Sequence, residues 1–323
     1  MNGDGWKELS AEIVPGQRHH ETWYAVALSS EVEAGRVIGR EFLNGRVAVY
    51  RRPSGAPVVL TARCPHMGAD LALGQVVGDD LRCTYHHFCF GPKGDCTRIP
   101  SAEAIPPAAK VFSYPCAESL GLIWAWNGET PRFDAPGVRD FEPSQLLTRA
   151  RKAALFSVAP WISVGNSFDF MHLRHVHGLA FDFDPGKIRW SDDHRVEYEI
   201  EFSSPELGRF EQRIRVTGPS AVSYVTVAET TTIGLFASTP VGSAAQSYAV
   251  AAVPLASEAL PEELERRLAQ QEALMDALLA DDVRTLTGIR FKVGSLLKED
   301  RAMARFLRWV HAFPTADPAA PFA

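Results

Sequence analysis

The sequence feature that most restricts the fold is a pair of Cys/His clusters in the N-terminal half. One residue separates Cys64 from His66, and, after 16 intervening residues, two residues separate Cys83 from His86. Each pair offers one thiolate and one imidazole. The chain has only 5 cysteines, an odd number, which is unlike the dense and even disulfide framework of small secreted domains. The fold must therefore bring two loops together so that four metal-ligating side chains meet.

Each pair combines one cysteine with one histidine, and this combination helps to distinguish between possible metal centres. In the Rieske form of a [2Fe–2S] centre, two thiolates bind one iron and two imidazoles bind the other. A structural zinc site is the alternative, but zinc fingers keep cysteines with cysteines and histidines with histidines. We therefore predict a Rieske-type [2Fe–2S] cluster held by these four side chains, and we interpret the remaining cysteines as buried or free thiols.

The distribution of strand and turn signals predicts two domains, as expected for 323 residues. Short β-type runs punctuated by Gly and Pro extend over residues 23–128, which indicates a small all-β domain. A Pro-containing connector follows at 129–137 and suits a domain boundary. We expect an N-terminal segment at 1–22, the first domain at 23–128 and the second at 129–323.

The second half is predicted to combine an antiparallel sheet with helices, which makes the fold class α+β. Apolar and acidic residues alternate through 196–202, the period of a strand with one buried and one exposed face. A long helix is predicted to begin at Pro261, and a shorter one to cover 301–311. The further strand-like runs are 210–216, 222–227 and 247–253.

Charge and hydropathy exclude some classes of function. The 33 basic and 39 acidic residues give a net charge of -6, which argues against nucleic-acid binding. No apolar run approaches the roughly 18 residues that a membrane span needs. The first residues have neither the basic nor the apolar region of a signal peptide, so we expect a cytoplasmic protein.

A second set of metal-ligating residues lies at 166–177, where a helix ending near Gly178 is predicted. Two histidines and one carboxylate form the facial triad of non-haem iron(II) oxygenases. His172 and His175 share a helix face, whereas His172 and His177 lie about 140° apart on an ideal helix, so the latter pair requires the helix to distort or end. Helix geometry alone leaves both pairs open.

Taken together, these motifs resemble those of the Rieske non-haem iron oxygenases, of the aromatic-ring-hydroxylating alpha-subunit type. The resemblance rests on residues 64–69 (CPHMGA), 83–86 (CTYH), 23–26 (WYAV) and the spacing N-x-x-D-x-x-H-x-x-x-x-H at 166–177. It implies an N-terminal Rieske domain followed by a helix-grip catalytic domain, in which a long C-terminal helix covers an antiparallel sheet. The chain departs from the family at His87, where a glycine is usual.

The resemblance also implies roles for individual residues. It selects His172 and His177 as ligands of a mononuclear iron and places the third ligand at Asp282 in preference to Asp281. Asp169 corresponds to the aspartate that links the iron site to a Rieske histidine of a neighbouring subunit, and Asn166 is a polar residue of the same site. Apolar residues nearby could line the pocket or belong to the core: Phe170, Leu173, Val176, Val222 and Phe236.

The function implied is that of a terminal oxygenase component, closer to the monooxygenase and demethylase members. Electrons from NAD(P)H would pass through a separate reductase or ferredoxin to the cluster and then to Fe(II), where O2 reacts with a hydrophobic aromatic or cyclic molecule. A separate redox partner is expected because the sequence has no G-x-G-x-x-G motif after a strand. The family also implies a homotrimer. Two alternatives are a non-catalytic Rieske electron-transfer protein and a zinc-stabilised binding module.

Overall fold

The chain divides into two compact units in a computed structural model that describes residues 9–101, 104–191, 193–204, 208–255, 260–291, 294 and 296–322. The first unit consists of Pro15–Ala135 and Thr315–Ala323. The second consists of the residues up to Val14 and of Pro136–Pro314. None of the described helices is long and apolar enough to cross a membrane.

The first unit is made of short antiparallel strands. They form a four-stranded sheet in the order β10-β5-β4-β3, a three-stranded sheet β11-β12-β2 and a four-stranded meander β6-β7-β8-β9. The strands are β1 (His19–His20), β2 (Trp23–Leu28), β3 (Val37–Phe42), β4 (Gly45–Arg51), β5 (Pro57–Thr61), β6 (Gln75–Val77), β7 (Asp80–Arg82), β8 (Cys89–Phe90), β9 (Cys96–Arg98), β10 (Ser113–Tyr114), β11 (Cys116–Ser119) and β12 (Leu122–Trp126).

The apolar strands of this unit enclose its core. All five residues of β12 are buried, as expected of a continuous apolar run rather than an alternating one. Cys64 and Cys83 belong to a buried cluster with Leu71 and with Leu81 and Phe90, which come from strands of the meander. The core therefore anchors the two Cys/His loops by their cysteine ends.

The second unit contains a seven-stranded antiparallel sheet in the order β13-β19-β18-β17-β16-β15-β14. Its strands are β13 (Leu146–Phe156), β14 (Arg189–Trp190), β15 (Arg195–Ser204), β16 (Gly208–Thr217), β17 (Ala221–Val227), β18 (Thr231–Val241) and β19 (Ala244–Pro254). Its helices are α1 (Pro160–Gly165), α2 (Phe170–His175), α3 (Pro261–Leu286) and α4 (Arg301–Ala312). In the first unit, a last strand, β20 (Thr315–Ala316), pairs with β1.

The predicted α+β class, with a long helix on an antiparallel sheet, is confirmed. In β15 the apolar residues of the alternating run are buried and Glu199 and Glu201 are exposed. Helix α3 begins at Pro261, and its residues Leu264 and Met275 pack against β19. Burial of this apolar stripe holds a helix of 26 residues against the sheet.

The segment at 159–178 differs from the single helix predicted for it. It is divided into α1, a 3-10 turn at Asn166–Phe168, and α2. The break occurs at Asp169, whose carboxylate accepts a hydrogen bond from the backbone N–H of His172 at 2.8 Å and so caps a new helix. Because α2 ends at His175, His177 lies beyond the helix, and the angle between ideal helical positions does not apply to it.

Candidate metal centres

The two Cys/His loops of the first unit are closed by backbone hydrogen bonds. The N–H of Cys64 donates to the carbonyl of Ala69 at 2.9 Å, and the N–H of Gly68 donates back to the carbonyl of Cys64 at 2.8 Å. In the other loop, the N–H of Cys83 donates to the carbonyl of Phe88 at 2.8 Å. Each loop therefore holds its cysteine at the base and its histidine near the tip.

The two cysteines of these loops are buried and the two histidines are exposed, which suits a Rieske cluster. Cys64 and Cys83 are 3% and 1% exposed, whereas His66 and His86 are exposed and their ring centroids are 4.6 Å apart. Burial, together with the adjacent Cys83, raises the pKa of the Cys64 thiol to about 11. Coordination to a metal removes such protons, so buried sulfurs and outward imidazoles fit a cluster with one inner and one outer iron.

His87, which stands where the family usually has glycine, adopts a backbone conformation that is typical of glycine. His87 has a φ of 59°, in the left-handed region that glycine adopts without strain. The side chain is exposed, so its Cβ is accommodated at the surface of the loop. The loop thus keeps the backbone conformation expected of a glycine at this position.

In the second unit, His172, His177 and Asp282 form one compact group. The Nε2 atom of His172 lies 3.0 Å from Oδ1 of Asp282 and 3.1 Å from Nε2 of His177, and the Asp282 to His177 distance is 3.4 Å. All the candidate ligand atoms lie within 4.8 Å of one another. Two imidazole nitrogens and a carboxylate oxygen converging in this way match a 2-His-1-carboxylate iron site.

The structure distinguishes between the adjacent acids of α3. Asp282 points into the group, and Asn166 Nδ2 donates to its Oδ1 at 3.1 Å. Burial alone would raise the pKa of Asp282, but hydrogen bonds from the two histidines outweigh it and leave the pKa lowered. Asp281 instead pairs with Arg284 at 2.6 Å. Of these two acids, Asp282 is the one whose carboxylate lies beside His172 and His177.

The other residues predicted for this site have different surroundings. His175 is exposed at the end of α2 and is not part of the group. Asp169 is half-buried and caps α2 through the N–H of His172, as described above. Asn166 contacts the group through Asp282, a connection that the sequence motif alone does not specify.

An apolar cavity of about 120 Å³ lies beside the metal-ligand group, between the sheet and α3. Leu173, Val222 and Phe236 line it, as the sequence suggested they could, whereas Phe170 packs in an aromatic cluster with Phe181 and Phe183. Asn166, His177 and Asp282 line the cavity too, as predicted site residues, whereas other polar lining residues were not identified from the sequence. They include Tyr224, whose OH lies 2.9 Å from Oγ of Ser167, and Gln271 of α3.

Comparison with known proteins identifies the N-terminal part. Residues 22–115 match the family described as "Rieske [2Fe-2S] domain". The chain contains a Rieske domain. The Rieske domain of this chain lies within the first unit and includes all four predicted cluster ligands. The presence of a [2Fe–2S] cluster is thereby confirmed at the level of the domain, while the individual ligands stay predictions.

Curated relatives extend the similarity beyond the Rieske domain. The toluene-4-sulfonate monooxygenase system iron-sulfur subunit TsaM1 of Comamonas testosteroni is 36% identical over 164 residues, which are 50% of this chain and 47% of that protein. The chain thus spans about half the length of this relative. Together with the Rieske domain, the relatives confirm the resemblance to the Rieske oxygenases.

Solved structures share the fold of both units. NdmA of Pseudomonas putida CBB5 with caffeine has a TM-score of 0.70 at 20% identity, covering 90% of this chain and 90% of that one. Apo dicamba monooxygenase has a TM-score of 0.69 at 20% identity, covering 90% of this chain and 96% of that one. This level of similarity establishes a common fold.

Proposed function

We propose that the chain is the terminal oxygenase component of a multi-protein system and inserts one oxygen atom of O2 into a hydrophobic aromatic or cyclic molecule, by hydroxylation or oxidative demethylation. The observation that carries the proposal is the His172/His177/Asp282 group beside an apolar cavity, in a chain that also contains a Rieske domain. The names of similar proteins support it, since they include a monooxygenase subunit and an NdmA structure with caffeine.

In this proposal, the residues of the second unit bind and position the reactants. An Fe(II) ion bound at the group would supply the activation of O2, the chemistry typical of 2-His-1-carboxylate sites. His172, His177 and Asp282 hold the ion, and Asn166 orients the Asp282 carboxylate by its hydrogen bond. The apolar cavity wall excludes water and keeps the substrate next to the ion.

The electron supply is assigned to other proteins and to a neighbouring copy of the chain. A separate NAD(P)H-dependent reductase or ferredoxin would reduce the cluster in domain 23–128, and electrons would then enter domain 129–323 of an adjoining subunit in a homotrimer. Asp169 is the proposed link, because its carboxylate contacts the backbone of the ligand residue His172. Size-exclusion chromatography with light scattering tests the trimer.

The proposal is tested by oxygen incorporation. The cluster of the protein is first reduced chemically. The reduced protein is then mixed with ¹⁸O2 and one candidate compound at a time: toluene-4-sulfonate, dicamba or caffeine. The products are analysed by mass spectrometry. We expect a product with one ¹⁸O atom from at least one compound, and faster reoxidation of the cluster when that compound is present. The Asp282→Asn variant should keep the cluster spectrum and lose both effects, because the ion loses its carboxylate ligand.

The matched control is Asp281→Asn, which changes the neighbouring acid on the same helix and should behave like the unaltered protein. Equal reoxidation rates in the unaltered protein and Asp282→Asn, with no labelled product, would contradict the proposal and favour a simple Rieske electron carrier. A colourless protein that contains zinc would instead indicate a zinc-stabilised binding module.

A further inference from the structure

The cavity beside the metal-ligand group adjoins a second, larger space. A groove of about 300 Å³ lies between α3 and strands β16 to β18, farther along the helix from Asp282. Thr226, Gln271 and Leu274 line both the cavity and the groove. These three residues therefore form a neck between the inner cavity and the outer groove.

The polar side chains around the cavity that have a side-chain nitrogen or oxygen with no protein partner among the described residues include His177 of the metal-ligand group, at its Nδ1, and Gln271. Gln271 is 7% exposed, and its amide hydrogen-bonds to no other residue in the part of the chain that the structure describes. Other polar side chains of the wall are paired, for instance Gln212 Nε2 with Thr226 Oγ1 at 3.1 Å. Side-chain amides in protein interiors are normally hydrogen-bonded. The side chain of Gln271 is largely buried, but its amide atoms keep some accessible surface, so they are not orphaned polar atoms. An amide that faces the neck without a protein partner is available to a ligand.

The backbone around Gln271 leaves room for such a ligand. Opposite it on β18 stands Gly234, where an added Cβ would lie 3.5 Å from Nε2 of Gln271 and 3.3 Å from Sδ of Met275. A Cβ there would be tight against Met275 and in ordinary contact with Gln271, so a side chain larger than alanine would extend into the neck. The glycine thus keeps the passage open beside the amide.

Helix α3 fixes the spacing between this amide and the metal-ligand group. Gln271 and Asp282 are separated by about 16 Å along the axis, at 1.5 Å per residue. Apolar residues of the same helix, including Met275 and Leu279, line the cavity between them. A ligand that reaches from one end to the other must be elongated and apolar in its middle.

The charges of the lining restrict the ligand further. Among the described residues of the inner cavity, the only acidic or basic side chains are Asp282 and His177, and both belong to the metal-ligand group. On the groove side the charged lining residue is Arg267, whose Nη2 already donates to the carbonyl of Thr231 at 2.9 Å. An ionised group at the neck would therefore leave water with no opposite charge from the inner cavity and only this partly committed guanidinium in the groove, which is unfavourable. A neutral carbonyl, amide or hydroxyl avoids this cost and satisfies the Gln271 amide.

We propose that Gln271 is a specificity-determining residue that hydrogen-bonds a neutral polar group at one end of an elongated, otherwise apolar substrate, whose other end lies beside His177 and Asp282. This inference rests on the proposed function for the identity of the reacting end. The outer groove is then the route by which the substrate enters.

The test compares two probes of matched shape, 4-acetylbiphenyl and 4-isopropylbiphenyl, by equilibrium dialysis against the anaerobic iron-loaded holoenzyme. Because one hydrogen bond distinguishes them, we expect the ketone to bind about fivefold more tightly. Gln271→Leu should reduce the preference to within about twofold, and Gln271→Met provides a second variant of similar volume if the first folds poorly. Ala273→Leu is the control, since it adds a leucine at an exposed position of the same helix.

Three results would overturn the inference: failure of both probes to bind the unaltered protein, equal affinity for the two, or a preference for the ketone that survives in both Gln271 variants. Tighter binding of biphenyl-4-carboxylate than of the ketone would overturn the neutral-group assignment. Binding is measured without turnover, so a protein that discriminates the probes as expected but incorporates no ¹⁸O would refute the proposed function and not the role of Gln271.

Discussion

The hydrogen bond from Asn166 to Asp282 gives a quantitative prediction for metal binding. Asn166 Nδ2 lies 3.1 Å from the same Oδ1 atom of Asp282 that approaches both histidines. Asn166→Ala removes this donor while leaving the three ligands in place. A hydrogen bond to a charged group contributes about 1.5–3 kcal/mol, and partners of metal ligands affect affinity by about 10–100-fold. We therefore expect the variant to bind metal about 10–100-fold more weakly.

The affinity is measured by titrating Co²⁺, in competition with a chromogenic chelator, into protein that retains its cluster but whose mononuclear site has been emptied. Asp281→Asn is the control, because Asp281 pairs with Arg284 and does not contact the metal-ligand group. Its Kd should stay within about twofold of the unaltered value.

A Kd for Asn166→Ala within about threefold of the unaltered protein would show that the hydrogen bond does not support the carboxylate as a ligand. An equal loss in Asp281→Asn would show that the effect is a general disturbance of α3. Either result would refute the reasoning about how Asn166 acts.

Three further predictions concern stability. Urea unfolding checks all three, and the temperature at which the cluster colour is lost also checks the two that change the first unit. Gly55 and Gly94 both have a positive φ, so alanine at either position should cost roughly 1–2 kcal/mol. Gly94→Ala should destabilise the first unit by about 2–5 kcal/mol in all, since its Cβ would also lie 2.1 Å from the carbonyl oxygen of Val111, whereas the Cβ of Gly55→Ala has nothing within 4 Å. Equal costs would contradict the steric argument. His87→Gly should stabilise by about 0.5–1 kcal/mol by relieving a positive φ, and His87→Ala should not. Phe306→Ala should cost about 3–5 kcal/mol, because the ring is fully buried and stacks on Phe168; a loss below about 1 kcal/mol would count against its place in the core.

Local patterns in the sequence were sufficient to predict the cluster loops and the main elements of the fold. The two Cys/His pairs and the alternation at 196–202 are short-range signals, and each reflects the geometry of one loop or strand. The start of α3 at Pro261 was also predictable, because proline and two acidic residues mark a helix N-terminus. The family pattern marked position 87 as one that usually holds glycine, and the positive φ of His87 is consistent with that.

Features that depend on long-range packing could not be predicted in the same way. The choice between Asp281 and Asp282 depends on the rotation of α3 about its axis, which the sequence fixes only to within a residue or two. Gln271 looks like any polar residue of an amphipathic helix, and only the packing of α3 on the sheet places its amide at the neck. The pairing of β20 with β1 joins residues nearly 300 positions apart and has no periodic signal in two-residue strands.

The central claim is that one chain holds a two-iron cluster in its Rieske domain and a separate single iron at His172, His177 and Asp282. Iron analysis of anaerobically reconstituted protein tests it most directly, with Mössbauer spectra to separate the two kinds of site. We predict about three irons per chain in the unaltered protein and about two, with an unchanged cluster spectrum, in His172→Ala. Two irons per chain in the unaltered protein, or the same iron content in both proteins, would contradict the account.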